Sequence, residues 1–157
     1  MPTTEQITKL VEARTQSLKK ALEDQDIDTI LSWHAEESKF FDPLRGVDGL
    51  PRSQLRDFYA VPFNNMQSSK IVSSKVTAPT PYFDAWEIVG ESVAMVDDPL
   101  GEGTKVGHKL VANLVSLIWW EWKGEGEWNG DLSEESIRKW KIVGQHDYCV
   151  PQRASET

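Results

Sequence analysis

The spacing of the apolar residues changes near Gln67, and this change constrains the fold more than any other feature of the chain. Before Gln67 the apolar residues recur every three or four positions, as on one face of an α-helix. After Gln67 apolar and polar residues alternate, as in strands with one buried face. A helical half followed by strands predicts an α+β fold, in which three N-terminal helices pack on one face of a curved, mostly antiparallel sheet.

The three predicted helices lie in the first half of the chain. The first covers about residues 4–23, where charged residues separate the apolar positions. Asp26 is suited to cap a second helix that continues to Trp33. The third helix begins near Pro51, because proline is favoured in a first helical turn. Its apolar side carries Leu55, Phe58 and Tyr59.

Four long strands are predicted in the second half, at about residues 69–77, 82–95, 109–122 and 137–150. The third of these strands is apolar on both faces, whereas a strand that covers helices with one face usually has a polar second face. A second apolar face predicts another layer, most simply a second subunit. We therefore expect a homodimer through the outer face of the sheet. The alternative is that the chain's own loops or its C-terminal tail cover this face.

The composition limits the partners and the compartment. The length of 157 residues fits one domain, over residues 1–157. With 17 basic and 25 acidic residues the net charge is -8, which disfavours binding to nucleic acid or to an anionic membrane. The polar N-terminus carries no secretory signal, and no apolar run is long enough to span a bilayer. The single cysteine, Cys149, fits a reducing compartment, so we expect a cytoplasmic protein.

Motifs that bind metals or nucleotides are absent from the sequence. It contains no CxxC, HExxH or GxGxxG motif and no P-loop, and its three histidines are scattered. We therefore expect a protein that works without a metal or an organic cofactor.

Asp42 is the first candidate for a catalytic group. It lies between Phe41 and Pro43 in an apolar stretch. If its side chain points inward, desolvation raises its pKa toward the range in which a carboxylate acts as a base near neutral pH. The alternative is that Asp42 only caps a turn, as an aspartate before a proline often does. The residues alone leave both interpretations open.

The stretch around Asp42 resembles the ketosteroid isomerase branch of the nuclear transport factor 2-like (NTF2-like) superfamily. In that family an Ala-acid-acid group ends a helix, an acid-Asp-Pro group ends the following strand, and an Arg-acid-Phe-Tyr-Ala group lies on the next helix. The corresponding residues here are Ala35-Glu36-Glu37, Phe41-Asp42-Pro43 and Arg56-Asp57-Phe58-Tyr59-Ala60. The resemblance implies the cone-shaped NTF2-like fold, with Asp42 as general base and Tyr59 in the same pocket.

The sequence departs from ketosteroid isomerase at the groups that bind the substrate's oxyanion. The family uses a tyrosine on the first helix and a protonated aspartic acid on a late strand. The corresponding positions here are about Leu18 and near Val115 or Ser116. A base without such a donor leaves the developing negative charge unstabilised. We therefore do not expect a steroid isomerase, and an enzyme of this fold needs other donors.

The end of the last predicted strand carries the second group of candidates. Two-residue alternation puts Gln145 and Asp147 on one face of the strand and His146 and Tyr148 on the other. SnoaL-like polyketide cyclases, of the same superfamily, are similar in that an aspartate on the final strand is their acid-base residue. This resemblance favours Asp147, with Gln145 beside it. The alternative is a surface pair of His146 and Asp147.

The catalytic residues predicted from these arguments are Asp42, Asp147 and Tyr59. The two aspartates are expected to face one apolar cavity and to divide the acid and base roles, with Asp42 the more desolvated and Asp147 in more polar surroundings. The candidates for binding the substrate are Trp33, Phe63, His108, Asn113, Gln145 and His146.

Two classes of function remain open. The first is a cofactor-free isomerase or cyclase of secondary metabolite biosynthesis, which acts on an apolar polycyclic small molecule. Within this class a dehydratase similar to scytalone dehydratase is the alternative. The second class is a non-catalytic module of the same fold, which binds a ligand or serves assembly. Asp42 with Tyr59 favours the enzyme, and the missing oxyanion donors favour the module.

Overall fold

The computed structural model describes the backbone of residues 1–97 and 105–153, and the side chains of residues 1–95 and 107–150. The helices are α1 (Thr4–Glu23), α2 (Ile27–Ser32), α3 (Arg52–Asn64) and α4 (Glu134–Ile137), with a 3-10 helix at Pro43–Arg45. The strands are β1 (His34–Asp42), β2 (Val47–Pro51), β3 (Met66–Thr80), β4 (Phe83–Asp97), β5 (Lys105–Trp122) and β6 (Trp140–Arg153). No helix in this described part of the chain is both long and apolar enough to cross a membrane.

The strands form one mixed sheet in the order β2-β1-β6-β5-β4-β3. Neighbouring strands are antiparallel, except that β1 and β6 run parallel. In this parallel pair Phe41 lies opposite His146, so the next residues, Asp42 and Asp147, are neighbours across the two strands. The topology thus brings the two predicted catalytic aspartates together although they lie far apart in the sequence.

The predicted α+β class, with helices packed against a curved sheet, is confirmed. Strand β1 lies between α2 and α3, as the resemblance implies, and β2, which was not predicted, follows it before α3. Residues 35–37, which the resemblance placed at a helix end, lie within β1 instead. Pairing of β1 with β6 on either side of these residues, at His34 and from Lys39 to Phe41, outweighs the helical propensity of alanine and glutamate. The short helix α4 was not predicted.

Helix α1 is fixed to the sheet by a buried ion pair. Arg14 Nη2 lies 2.7 Å from Asp84 Oδ1, and both side chains are fully buried. Trp120 Nε1 donates to the second oxygen of Asp84 at 2.8 Å, and Arg14 Nη1 donates to the carbonyl of Pro81 at 2.8 Å. These hydrogen bonds offset part of the cost of desolvation, which raises the pKa of Asp84, although Arg14 Nε has no partner among the described residues. The ion pair therefore ties α1 to the turn between β3 and β4.

The core around this ion pair is rich in tryptophan. The rings of Trp33 and Trp120 meet edge to face at 5.7 Å, and those of Trp128 and Trp140 do so at 5.6 Å. These four side chains are buried, together with Leu10 of α1. Large rings fill the interior at this end of the sheet, and the side chains become smaller toward the opposite end of β4 and β5.

Candidate active site

An open cavity of about 400 Å³ lies where the residues of the sheet are small. Gly90 of β4 and Ala112 of β5 line it, whereas large side chains such as Trp86 occupy β4 nearer the tryptophan-rich core. Helix α3 supplies Tyr59 and Phe63 to the facing wall. The volume is in the range of small-molecule sites. We call this space the main cavity.

A smaller cavity of about 40 Å³ continues toward the core, and we call it the inner chamber. It shares Leu22, Leu114 and Asp147 with the main cavity. Its other polar lining residues are Trp86, Ser116 and Gln145, and the remaining walls are aliphatic. Asp147 thus lies at the boundary between the two spaces.

Asp147 is buried among neutral hydrogen-bond donors. The residue is 6% exposed, and its Oδ1 accepts from Ser116 Oγ at 2.6 Å and from Gln145 Nε2 at 3.0 Å. Burial raises the pKa of Asp147 to about 6, although the hydrogen bonds from Ser116 and Gln145 oppose this rise. A carboxyl group with this pKa accepts and donates a proton readily near neutral pH.

Asp42 is also buried, but its partner is a cation. Its Oδ2 accepts from Arg45 Nε at 2.6 Å, and its Oδ1 accepts from the backbone N–H of Arg45 at 3.2 Å. The second contact caps the 3-10 helix, so Asp42 is at once buried and a turn cap. Arg45 lines the main cavity. Asp42 is not among the described residues that line either cavity. The ion pair therefore presents its cationic member to the cavity.

The expected contrast between the two aspartates is not found. The sequence predicted a desolvated Asp42 and an Asp147 in more polar surroundings. Both side chains are buried, and the difference lies in their partners. Asp42 is ion-paired with Arg45, whereas in the described structure Asp147 accepts hydrogen bonds from neutral groups only. The raised pKa of Asp147 corrects the expectation that it stays in a polar environment.

Tyr59 reaches the same region from helix α3. Its ring packs against Phe40 and Phe63, at centroid distances of 6.3 Å and 5.8 Å. Desolvation raises the pKa of Tyr59 well above its usual range, and the charge of Asp147 adds to the rise, while Arg45 opposes it. The phenol therefore stays protonated at neutral pH and is available as a hydrogen-bond donor.

The other residues proposed from the sequence are divided between the two faces of the sheet and the core. Phe63 lines the main cavity and Gln145 the inner chamber. His108 lies opposite Ala94, which lines the main cavity, but His108 is not itself in the described wall. Trp33 is buried in the core, where its Nε1 donates to Ser17 Oγ at 3.0 Å.

Asn113 and His146 lie on the outer face of the sheet. Alternation along β5 turns Leu114 toward the cavities, and therefore turns Asn113 away from them. On β6 the same rule turns Asp147 inward and His146 outward. His146 stacks on Phe41 with a centroid distance of 4.3 Å. A direct contact of Trp33, Asn113 or His146 with a ligand in the main cavity is therefore not supported.

Sequence reasoning missed Arg45 and left Ser116 without a role. The spacing of three residues between Asp42 and Arg45 was a usable signal, because oppositely charged side chains this close in a helical turn form ion pairs. Ser116 occupies the region where ketosteroid isomerases carry their protonated aspartic acid. Ser116 is turned inward toward Asp147, while Val115 is exposed.

Among the comparisons with known proteins, only the one with solved structures finds similar proteins, and these share the fold. No protein-family model and no curated protein matches the sequence. The structure is similar to an NTF2-like protein from Anabaena variabilis, with 14% identity, a TM-score of 0.57 and coverage of 99% of this chain and 98% of that one. It is also similar to a candidate polyketide cyclase from Xanthomonas campestris pv. campestris, with 18% identity, a TM-score of 0.62 and coverage of 92% and 90%.

A third similar structure is the CaMKII hub of S. rosetta, with 12% identity, a TM-score of 0.55 and coverage of 91% of this chain and 95% of that one. At such identities a structural likeness establishes the fold and leaves the activity open. The chain has the NTF2-like fold that its sequence resembles.

Proposed function

We propose that the protein is a cofactor-free isomerase or cyclase that acts on an apolar ring compound by acid-base catalysis at Asp147. The observation that carries this proposal is a buried carboxyl group, with a pKa raised to about 6, at the wall of a cavity of about 400 Å³. The similarity to a candidate polyketide cyclase supports the same class of reaction.

The geometry of Asp147 suits proton transfer to and from carbon. Ser116 and Gln145 both donate to Oδ1, and Oδ2 accepts no hydrogen bond from the described residues. Oδ2 is therefore the oxygen that takes a proton from one carbon of the bound ring and returns it to another. Because the pKa lies near neutral pH, the same group is effective in both directions. Apolar walls exclude water that would compete for the proton.

Arg45 and Tyr59 are the donors that replace those missing from the ketosteroid isomerase pattern. Both line the main cavity near Asp147. Asp42 holds Arg45 through Nε, and the guanidinium also lies over the ring of Phe58 at 4.6 Å. A fixed cation and a protonated phenol stabilise negative charge that develops on a substrate oxygen. In this proposal Asp42 is a positioning residue for Arg45, and not the base that the resemblance implies.

The proposal is tested by hydrogen exchange in deuterium oxide. Cyclic ketones such as α-tetralone carry exchangeable hydrogens beside the carbonyl, and NMR measures how fast the protein replaces them with deuterium. We expect Asp147→Asn to lower this rate at least about 100-fold, the usual contribution of a general base. Asp57→Asn, an exposed position on α3, is the control and keeps the wild-type rate.

The variant Asp42→Asn separates the two aspartates in the same assay. As a positioning residue, Asp42 affects the rate less than Asp147 and leaves its dependence on pH near 6 in place. An Asp147→Asn variant with full exchange activity, or an Asp42→Asn variant as inactive as Asp147→Asn, would contradict the proposed roles. If the wild-type protein exchanges the hydrogens of none of several cyclic ketones, the proposal that it abstracts protons from carbon is wrong.

A second candidate function is a non-catalytic assembly module. Four exposed or partly exposed apolar side chains on the outer face of the sheet support it, namely Val115, Trp119, Tyr148 and Val150. The fold shared with the CaMKII hub points in the same direction. A dimer formed by this face is compatible with either function, because the main cavity and the inner chamber lie on the opposite face.

A further inference from the structure

Three basic side chains from separate elements meet at the C-terminal end of α2. Arg52 begins α3, Arg138 follows α4, and Lys141 lies in β6. Arg52 Nε and Nη2 donate to the carbonyl of Leu31 at 3.3 Å and 3.1 Å, and Lys141 Nζ donates to the carbonyl of Ser32 at 2.7 Å. Arg138 Nη1 donates to the hydroxyl of Ser32 at 3.4 Å. Because the acceptors belong to two consecutive residues, the three charged groups lie close together. We call them the basic cluster.

The charges in the basic cluster repel one another. Burial lowers the pKa of Lys141, and the charges of Arg138 and Arg52 lower it further. Nearby, burial and the charge of Arg52 lower the pKa of His34 to about 4. His34 is therefore neutral at pH 7 and adds no fourth charge. The fold thus holds three like charges together at an electrostatic cost.

No carboxylate compensates the basic cluster within the described residues. None of its three members forms a salt bridge there. Glu121 is the cross-strand partner of Lys141, but its carboxylate lies 3.5 Å from Lys123 instead. Lys139, next to Arg138 in the sequence, is paired with Glu135 at 3.6 Å. In a chain with 25 acidic and 17 basic residues, three neighbouring cations without an acidic partner are unexpected.

A purely structural role accounts for only part of this charge. The C-terminal end of a helix carries about half a negative charge, which one cation is enough to balance. The guanidinium of Arg138 also lies over the ring of Trp33 at 4.6 Å, a contact that needs no second or third cation. Arg52 is the first residue of α3, whose positively polarised N-terminal end has no side-chain cap. The cluster therefore retains an excess of positive charge.

The free N–H groups of the basic cluster are accessible to a ligand. Arg52 Nη1, for example, has no acceptor among the described residues. No nitrogen of the cluster is among the fully buried polar atoms that lack a partner, so the unpaired N–H groups reach solvent. Guanidinium groups match the oxygens of a phosphate group in pairs, and a lysine adds a point charge. A phosphate group has three terminal oxygens, one for each cation of the cluster.

We propose that Arg52, Arg138 and Lys141 form a binding site for a phosphate group, carried by inorganic phosphate or by a small phosphate monoester. The net charge of -8 repels a long polyanion and leaves a small anion as the occupant. None of the three side chains is among the described residues that line the main cavity or the inner chamber. The phosphate site is therefore separate from the proposed acid-base site and does not depend on it.

Titration with inorganic phosphate, followed by amide NMR, tests the site. Sodium chloride at equal ionic strength is the reference, because any salt screens surface charges. We expect saturable shifts at residues 31–33 and 138–141 with phosphate only. In Arg138→Gln and in Lys141→Met the affinity falls at least about tenfold, the contribution of a charge-assisted hydrogen bond. The matched control Lys139→Gln removes the same charge from a neighbouring, ion-paired position and keeps the wild-type affinity.

Methyl phosphate distinguishes the two sources of the phosphate group. Affinity equal to or above that of inorganic phosphate identifies a phosphate monoester as the ligand. Binding of inorganic phosphate alone identifies the free ion. Either result supports the site.

Carbon NMR of the lysine side chains provides a readout in the wild-type protein, which does not depend on a variant folding. Phosphate raises the pKa of Lys141, because a nearby dianion favours the charged ammonium form, and chloride does not. The Lys141→Met variant assigns the signal. A Lys141 pKa that phosphate leaves unchanged, or equal phosphate affinity in the wild type, Arg138→Gln and Lys141→Met, would overturn the inference. Amide shifts that chloride reproduces at equal ionic strength would overturn it as well.

Discussion

Asp42 and Asp147 are neighbours across two parallel strands, yet their carboxyl groups are stabilised by different chemistry. A guanidinium holds the first, and a hydroxyl and an amide hold the second. These unequal partners are the basis for the different roles proposed above, with Asp147 as the acid-base group and Asp42 as the residue that positions Arg45. Alternation along the last strand was enough to predict that Asp147 and Gln145 share a face. The spacing of Asp42 and Arg45 was a signal for their ion pair, but the sequence did not show that Pro43–Arg45 forms the helical turn that brings the two side chains together.

The raised pKa of Asp147 has a consequence for stability. Its pKa lies above the ordinary value of 3.8, at about 6 in the folded protein, so the unfolded chain releases this proton at lower pH than the folded one. Between these values rising pH therefore destabilises the fold, by roughly 2 to 3 kcal/mol for a shift of about two pH units. Asp147→Asn lacks this titration. We expect the stability of the variant relative to the wild type to increase by that amount from pH 4 to pH 7.

Chemical denaturation of both proteins at several pH values measures the difference. Asp57→Asn is the control, because this exposed aspartate has no buried environment to lose. Wild-type and Asp147→Asn stability curves that run parallel from pH 4 to pH 7 would contradict the assigned pKa.

The ion pair of Asp42 with Arg45 predicts a non-additive effect on stability. Arg45→Met leaves a fully buried carboxylate without its cation, whereas Asp42→Asn/Arg45→Met removes both charges. We expect the single variant Arg45→Met to be less stable than the double variant, by about 1 kcal/mol or more, because an unpaired buried charge costs more than a missing pair. Urea denaturation of the wild type, both single variants and the double variant measures this coupling. Additive effects would show that the partly exposed Arg45 contributes little to holding Asp42.

At the scale of elements, the decrease in side-chain size along β4 and β5 creates the main cavity. The long strands β3 to β6 were predictable because their sequences are rich in β-forming residues and, except for β5 with its two apolar faces, largely alternate between apolar and polar residues. The periodicity did not indicate β1, which only the resemblance suggested, since its order comes from pairing with β6. The elements β2 and α4 are too short to produce a periodic pattern. The cavity itself was not predictable, because it depends on which small residues of different strands become neighbours.

Filling the cavity tests this explanation of its origin. Ala112→Phe places a ring into the main cavity, beside Gly90 of the neighbouring strand. We expect the variant to lose binding of α-tetralone at least about tenfold, with little loss of stability, because the ring occupies empty space and does not overpack the core. Calorimetric titration and thermal unfolding measure the two effects.

The matched control for this variant is Val61→Phe, which adds a similar ring at an exposed position of α3. It leaves binding unchanged. Wild-type affinity in Ala112→Phe would show that the ligand does not bind in the main cavity.

At the scale of the whole molecule, the sheet separates two environments. One face carries the main cavity and the inner chamber, and the other exposes Val115, Trp119, Tyr148 and Val150. An apolar patch on the open face of a sheet favours association with a second copy of the chain. The sequence predicted this face from the apolar character of both sides of β5. The exposed side chains support the proposed homodimer.

Sedimentation tests the dimer directly. We expect the wild-type protein to sediment as a dimer at micromolar concentration, and Val115→Lys to sediment as a monomer. Val115 is 43% exposed, so a lysine there is tolerated by the monomer but introduces a charge into the proposed interface. Val61→Lys, on helix α3, remains dimeric. A wild-type protein that is monomeric under these conditions would contradict the proposed interface.

The parallel pairing of β1 with β6 also has a consequence for the order in which the protein folds. The two strands are distant in sequence, and contacts between distant segments form late because closing a long loop costs entropy. During synthesis β1 is made long before β6. It cannot form this pairing until the strands between them have been completed. Asp42 and Asp147 meet only when this last pairing closes. An incompletely folded chain therefore carries both carboxyl groups without the site, and the proposed proton transfer requires the finished fold.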